Sequence, residues 1–369
     1  MPRPAGDTGA WLDSWAATVF RRRWLILGIW AVLLVGGLIA SADLETRLHG
    51  SVGTVAGGGA ERVETVLTRD FDTPYAQFLV ITNPQGATPA LLATLQRFPM
   101  VAASRSLPAT PATSPSSVIV GLKTRTMAET EAQVPALRQY LKNHGFLQAL
   151  VTGIAPMSLD VVRYASRESA RAERTVLPLT LIALVLAFGA LGAALLPLLT
   201  GLGAVVVTMG CLALIARFMP LSVYASNIAT MLGLGLGIDY ALFLVSRWRD
   251  ERRQGATDQA ALHAAIRHGT PAILASSATV LLGLIALAVV PSEETRGLGI
   301  GGLVVVLFSG LAAVTLLPAL AATFGHWAEY PRWLSNWRFS GASRWVGITR
   351  WVLRRPILAS VAAFALLAV

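Results

Sequence analysis

Five apolar stretches of 17 residues or more carry no charged residue: 24–40, 175–216, 218–238, 269–292 and 297–325. A helix needs about 20 apolar residues, rising 1.5 Å each, to cross a bilayer. The 175–216 stretch is roughly twice that length and predicts a helical hairpin, with Gly192 and Pro197 as its helix-breaking residues. Stretch 297–325 is long for one crossing and short for two, so it predicts a single tilted span with buried ends. Six spans result, over about 24–41, 175–192, 195–217, 222–247, 270–290 and 296–322. A further apolar run, 356–369, follows Arg354-Arg355 and predicts the start of a truncated seventh span.

Between 42 and 174 the pattern shortens and alternates. Strands are predicted over 77–82, 101–107, 117–122 and 146–152, and helices over 89–97 and 128–143. The order strand, helix, strand, strand, helix, strand is that of a ferredoxin-like split unit. Segment 108–115, with its Pro, Ser and Thr, reads as a connecting loop. Segment 157–174 is polar and predicted to run as a helix into the second span. Within 248–268, residues 257–268 read as a short amphipathic helix on the cytoplasmic surface, with Ala260, Ala264 and Ile266 facing lipid or protein.

Charge orients this frame, because Lys and Arg in short loops favour the cytoplasmic side. Arg21, Arg22 and Arg23 place residues 1–23 inside and 42–174 outside the cytoplasm. Arg247, Arg249, Arg252 and Arg253 fall inside, Glu293 and Glu294 outside, and the basic segment 325–355 inside. The resulting division is a first span at 24–41, an extracytoplasmic α+β domain at 42–174, spans two to six within 175–324, and the truncated seventh span at 356–369. Residues 21–42 also imitate a cleavable signal peptide, ending in Ala40-Ser41-Ala42, but the 17-residue apolar run is long enough for a retained helix.

Composition agrees with a multi-span membrane protein: 54% of residues are apolar and 14% charged. The net charge of +10 does not point to nucleic acid. Of 30 basic residues 28 are Arg, clustered beside apolar runs rather than on one amphipathic face. The single cysteine, Cys211, excludes an internal disulfide and a multi-cysteine metal site, and reads as a packing residue. His263 and His268 are spaced by five and read as solvated, so neither a metal-binding His motif nor a nucleophile–base pair suggests an intramembrane enzyme.

One residue breaks the apolar pattern. Asp239 lies in the run Gly233-Leu234-Gly235-Leu236-Gly237-Ile238-Asp239-Tyr240, at the depth of the fourth span. A carboxylate there costs about 3 kcal/mol on insertion scales, and such groups face a bundle interior or aqueous cavity where ions move. Gly235 is four residues away, on the same helical face, and Gly233 and Gly237 form a G-x-x-x-G pair that admits a close neighbouring helix. That helix would desolvate Asp239 and favour its protonated form, while Tyr240 offers a phenol as hydrogen-bond donor. Ser276, Ser277 and Thr279 on the fifth span, and Ser226, Asn227 and Thr230 on the fourth, could extend a polar path or simply bond to their own helices.

The run Gly-Ile-Asp-Tyr-Ala-Leu-Phe-Leu-Val-Ser-Arg-Trp-Arg at 237–249 resembles the fourth-helix motif of MMPL-type transporters of the resistance-nodulation-division superfamily. The order of one span, a large outside domain, five spans and a basic cytoplasmic segment is similar to the N-terminal half of that family. Segment 57–71, Val151-Thr152-Gly153 and Leu195-Leu196-Pro197-Leu198-Leu199 add to the resemblance. It implies a proton-motive-force-driven exporter of lipids or other hydrophobic molecules, requiring no cofactor, with the outside domain as porter domain. It also implies a proton relay of Asp239, Tyr240 and Ser277. Its partners would be membrane lipids, a hydrophobic substrate, and a second half or another copy carrying its own Asp-Tyr pair. The alternatives are a non-transporting lipid- or sterol-sensing protein of the same superfamily, or a protein-export accessory half.

Overall fold

In a computed structural model of the chain, the described residues are 8–49, 58–59, 62, 66, 78–83, 88–107, 116–124, 127–330 and 341–367. Most of the 57–71 segment, the 108–115 loop, and 331–340 of the basic segment lie outside them.

Helix α1 (Thr8–Arg21) precedes the first span, α2 (Arg23–Ser41), and had no counterpart in the pattern of apolar runs. It lies against one end of the bundle: Leu12, Ala16 and Val19 are buried, and Trp15 Nε1 donates to the Val314 carbonyl at 3.2 Å. A short turn, α3 (Leu44–Arg47), leads into β1 (Leu48–His49).

The sheet unit follows as β2 (Phe78–Asn83), α4 (Thr88–Gln96), β3 (Val101–Ser106), β4 (Ser116–Leu122), α5 (Met127–Asn143) and β5 (Leu150–Gly153). Among the described residues these strands form an antiparallel sheet in the order β3-β4-β2-β5. Alternation decides which face is covered. Leu79 and Ile81 on β2 and Val118, Val120 and Leu122 on β4 are fully buried against Leu91 and Leu95 of α4 and Leu137 and Leu141 of α5.

Helix α6 (Ile154–Phe188) starts directly from β5 and runs 35 residues without a break, about 52 Å at 1.5 Å per residue. Arg138 on α5 fastens it to the sheet unit through hydrogen bonds of 2.7 and 2.6 Å to the two Asp160 carboxylate oxygens. These hydrogen bonds outweigh partial burial and hold the Asp160 carboxyl below the usual carboxylate range. A depressed folded-state pKa gives stability that is present above the unfolded value, about 3.9, and is lost as pH falls through the folded value. Because Asp160 is half exposed, the pair is worth about 0.5–1 kcal/mol. Asp160→Asn should therefore raise hydrogen exchange in α5 and the first turns of α6 at pH 6, and the difference from the parent should vanish as the pH falls below about 4. Equal exchange at pH 6 would contradict that role.

The bundle continues with α7 (Leu191–Ile215), β6 (Leu221–Ser222), α8 (Val223–Arg253), α9 (Asp258–Ala288) and α10 (Glu293–Leu311). Helix α10 passes through a π turn at Ala312–Leu316 into α11 (Leu317–Phe324) and a 3-10 turn at Gly325–Trp327. The π turn precedes Pro318, which has no N–H to continue the regular ladder. Helices α12 (Gly341–Arg354) and α13 (Pro356–Leu367) complete the description.

Five helical stretches among the described residues are long and apolar enough to cross a membrane: α2, α7, α8, α9 and the length Glu293–Trp327. The chain is a multi-pass membrane protein. The apolar part of α6 is shorter, because Arg171, Glu173 and Arg174 precede it.

Three expected boundaries change. The hairpin turn falls at Gly189, whose φ of 66° is left-handed, rather than at Gly192 or Pro197. Gly192 instead admits the Trp327 carbonyl against its Cα, and Pro197 sits inside α7. The 248–268 segment is not a separate surface helix: α8 runs on to Arg253, and α9 starts at Asp258 and continues into the bilayer. Ala261, Leu262, Ala265 and Ile266 are buried there, so packing against the bundle, not lipid, orders those turns. At the other end of the bundle from the α8–α9 turn, β1 pairs in parallel with β6, joining the chain after α2 to the start of α8.

Candidate functional site

Helix α8 begins at an N-cap, Ser222, whose hydroxyl accepts from the Tyr224 N–H at 3.4 Å. From there its residues divide between two faces. Tyr224, Met231, Gly235, Asp239, Phe243 and Arg247 are exposed, at intervals of four after Met231, and so form one stripe. Gly233, Gly237, Tyr240, Ala241 and Leu244 are buried on the other side. The glycines on that side meet specific neighbours. A Cβ on Gly237 would lie 2.7 Å from the Gly201 Cα of α7, and one on Gly233 would lie 2.6 and 2.7 Å from methyls of Val205 and Val305. Gly233 and Gly237 thus admit the close helix expected of them.

Asp239 and Gly235 do not share it. Nothing lies within 4 Å of a Cβ built on Gly235, and Asp239 is exposed on the stripe, between Met231 at 76% and Phe243 at 47% exposure. The expectation that a helix of this chain covers the carboxylate is therefore corrected. Residues 235 and 239 are four apart and share a face, but 233 and 237 each precede one of them by two positions, about 200° around a 3.6-residue helix, and only 233 and 237 face neighbouring helices.

Tyr240 is buried, and its hydroxyl has no hydrogen-bond partner among the described residues. The same holds for Ser277 and Thr270 on α9 and Ser309 on α10. Helix packing links their surroundings: Gly269, next to Thr270, abuts Leu244, one turn beyond Tyr240, and Ser277 abuts Gly310, next to Ser309, with its Oγ 3.1 Å from where a Cβ would stand. A buried hydroxyl left unbonded costs about 1–3 kcal/mol. Tyr240 and Ser277 were marked in the sequence; Thr270 and Ser309 were not, since a lone hydroxyl in an apolar helix gives no signal of which way it faces. The remaining candidates serve their own helices. Thr230 bonds to the Asn227 carbonyl, Ser226 to that of Val223 and Thr279 to that of Ala275, while Ser276 is exposed. Asn227 also accepts from Ser169 of α6 at 3.2 Å, which joins the middle of α6 to the first turns of α8.

An ion-pair clasp closes the C-terminal end of α8. Arg249, with 3% of its side chain exposed, donates to both Glu329 oxygens at 3.1 and 3.0 Å and to the Phe188 carbonyl at 2.7 Å, and lies over the Phe188 ring. Burial is the largest influence on the Glu329 carboxyl and would raise it, but the Arg249 hydrogen bonds together with the charges of Arg249, Arg252 and Arg253 outweigh it and hold the group below its ordinary value. The end of α6, the end of α8 and the segment after α11 meet at this guanidinium. His263 and His268 belong to the first turns of α9 rather than a loop, and His263 Nε2 lies 3.6 Å from Asp13 of α1. Cys211 is half-buried and free.

The model of the MMPL family matches residues 114–359, which include the α8 run and the whole bundle from α6 to α11. The chain belongs to the MMPL family. It is an MMPL-type member of the resistance-nodulation-division superfamily. This MMPL chain is 28% identical over 378 residues to the mycolic acid-containing lipids exporter MmpL11 of Mycolicibacterium smegmatis, covering 96% of this chain and 40% of that protein. It is 32% identical over 236 residues to the heme uptake protein MmpL11 of Mycobacterium tuberculosis strain H37Rv, covering 61% of this chain and 24% of that protein. The trehalose monomycolate exporter MmpL3 of M. smegmatis is 27% identical over 203 residues, with 52% of this chain and 20% of that protein covered. The MMPL chain thus spans two-fifths or less of the length of these relatives.

Proposed function

We propose that this chain is part of a proton-driven transporter that exports lipids or other hydrophobic molecules across the cytoplasmic membrane, with Asp239 as the proton-accepting group. The observation that carries the reading is the placement of Asp239 on an apolar exposed stripe at membrane depth. Lipid cannot be the partner of that carboxylate, since a charge facing hydrocarbon is costly and such groups face protein or water. A second half of the protein, or another copy, fits as the element that covers the stripe and encloses the acid. Enclosure would give its protonation state leverage over helix packing.

Tyr240 on the inner side of α8 and Ser277 on α9 then act as hydroxyls that hold and pass a proton, with Thr270 and Ser309 as added buried hydroxyls in the bundle. No cofactor and no enzymatic step is needed. The sheet order β3-β4-β2-β5 with two crossing helices supports a ferredoxin-like porter unit, and α6 supplies a rigid connection from it to the bundle. The apolar end of α6 serves as the second of six spans, and the N-terminus lies in the cytoplasm as the flanking arginines favour. The lipid cargoes in the names of the M. smegmatis relatives support the substrate class.

The test is reconstitution of the full-length protein in liposomes with a fluorescent hydrophobic cargo. Cargo should move when a proton gradient is imposed and stop when an ionophore collapses it. Movement at an unchanged rate after collapse would overturn the proton-driven reading.

A further inference from the structure

We infer that Trp15 of α1 is a positioning residue for the proton relay, an assignment that rests on the proton-driven reading: its indole N–H holds the π turn between α10 and α11 in place, and that turn fixes how α10 meets Tyr240 and Ser277. The first observation is a bond that the backbone cannot make. In a regular α-helix the carbonyl of residue 314 accepts from the N–H of residue 318. Residue 318 is proline, which has no N–H to give. A buried backbone carbonyl needs a partner. Val314 is buried, and Trp15 Nε1, 299 positions earlier in the chain, donates to its carbonyl at 3.2 Å. A side chain of α1 thus supplies a donor where Pro318 withholds one.

The second observation is a second indole on the same turn. Trp30 of α2 donates to Thr315 Oγ1 at 3.0 Å, and that hydroxyl donates in turn to the Leu311 carbonyl at 2.5 Å. Two adjacent residues of the π turn are therefore held from outside their own helix, one by α1 and one by α2. A π turn is rare within an α-helix and recurs at functional sites. It carries one residue more than a regular turn, so its loss would rotate the residues on one side of it by about 100° relative to those on the other. The third observation is what the turn touches. Ala313, Val314 and Leu317 share one buried cluster with Tyr240 and Ala241 of α8, and the Trp15 ring packs against it. Just before the turn, Gly310 receives the Ser277 side chain and Ser309 is fully buried. A rotation at the π turn would move these contacts with both relay hydroxyls, and the Trp15 N–H stands against it.

The test uses the full-length protein and a double-mutant cycle. Trp15→Phe keeps an aromatic ring on α1 and removes the N–H, while Pro318→Ala returns a backbone N–H to the position facing the Val314 carbonyl. In liposomes with an imposed proton gradient, well below the unfolding temperature, Trp15→Phe should slow cargo movement about tenfold, the population shift that follows from leaving one buried carbonyl unbonded. Thermal unfolding in detergent reads the same bond without cargo or gradient. Trp15→Phe should lower the unfolding temperature by about 2 °C in the parent and leave it unchanged in the Pro318→Ala background, where the donor is redundant. An equal loss in both backgrounds would show that Trp15 acts through its ring alone and would overturn the inference. So would parental cargo movement by Trp15→Phe in a protein whose parent is gradient-driven, since the bond would then serve stability only. A parent that moves cargo equally well after the gradient is collapsed would instead defeat the proton-driven reading itself, so the two failures are told apart by the parent's own response.

Discussion

Asp239→Asn in the full-length transporter should reduce gradient-driven cargo movement to that of cargo-free controls, with the bundle inserted and folded as in the parent. The two halves of this expectation have separate physical causes. Folding survives because Asp239 makes no hydrogen bond or ion pair among the described residues and lies on the exposed side of α8. An amide of the same shape removes a charge that costs about 3 kcal/mol at membrane depth, so insertion becomes easier, not harder. Coupling is lost because an amide cannot take up and release a proton in the working range. The measurement pairs cargo movement in proteoliposomes with circular dichroism and detergent-solubilised monodispersity. Export at the parental rate would remove Asp239 from the relay, and a misfolded variant would show instead that the carboxylate is structural.

The second large effect separates two glycines that the sequence treats alike. Gly237→Val should destabilise the bundle by about 3 kcal/mol, whereas Gly235→Val should leave this chain's stability within about 0.5 kcal/mol. At Gly237 the added atoms meet the Gly201 backbone at 2.7 Å, and a backbone cannot turn aside as a side chain can, so α7 and α8 must separate. At Gly235 they meet open space. Thermal unfolding in the same detergent compares the two, and equal loss would contradict the crossing at Gly201. Gly235→Val carries a further reading in the full-length protein. If a second half covers the Asp239 stripe, the valine should impair transport without lowering the stability of this half.

The outer domain was legible almost strand by strand, for a reason particular to it. Leu79 and Ile81, or Val118, Val120 and Leu122, alternate with polar or half-buried neighbours, and a sheet with one covered face writes that alternation into the chain. The spans were legible as lengths but not as ends. Helix α6 continues through Arg174 into the apolar run, and α9 begins at Asp258, well before the expected start at 270, because packing on the bundle rewards helix beyond the hydrocarbon boundary. The clasp at Arg249 gave no signal at all, since Phe188 and Glu329 lie 61 and 80 residues from it.

The sequence by itself determined that this chain is a multi-pass membrane protein, which stretches are apolar enough to be candidate spans, which segment forms the sheet domain, and that Asp239-Tyr240 is the chemically unusual pair within an MMPL-type motif. Those facts reside in local composition and period. Only the tertiary structure decided that Tyr240 and Ser277 point inward while Asp239 and Gly235 point outward. On a helix apolar on every side, no periodic contrast marks the buried face, and the direction of each residue is set by which neighbours, here Gly201, Val205 and Val305, come close enough to touch it.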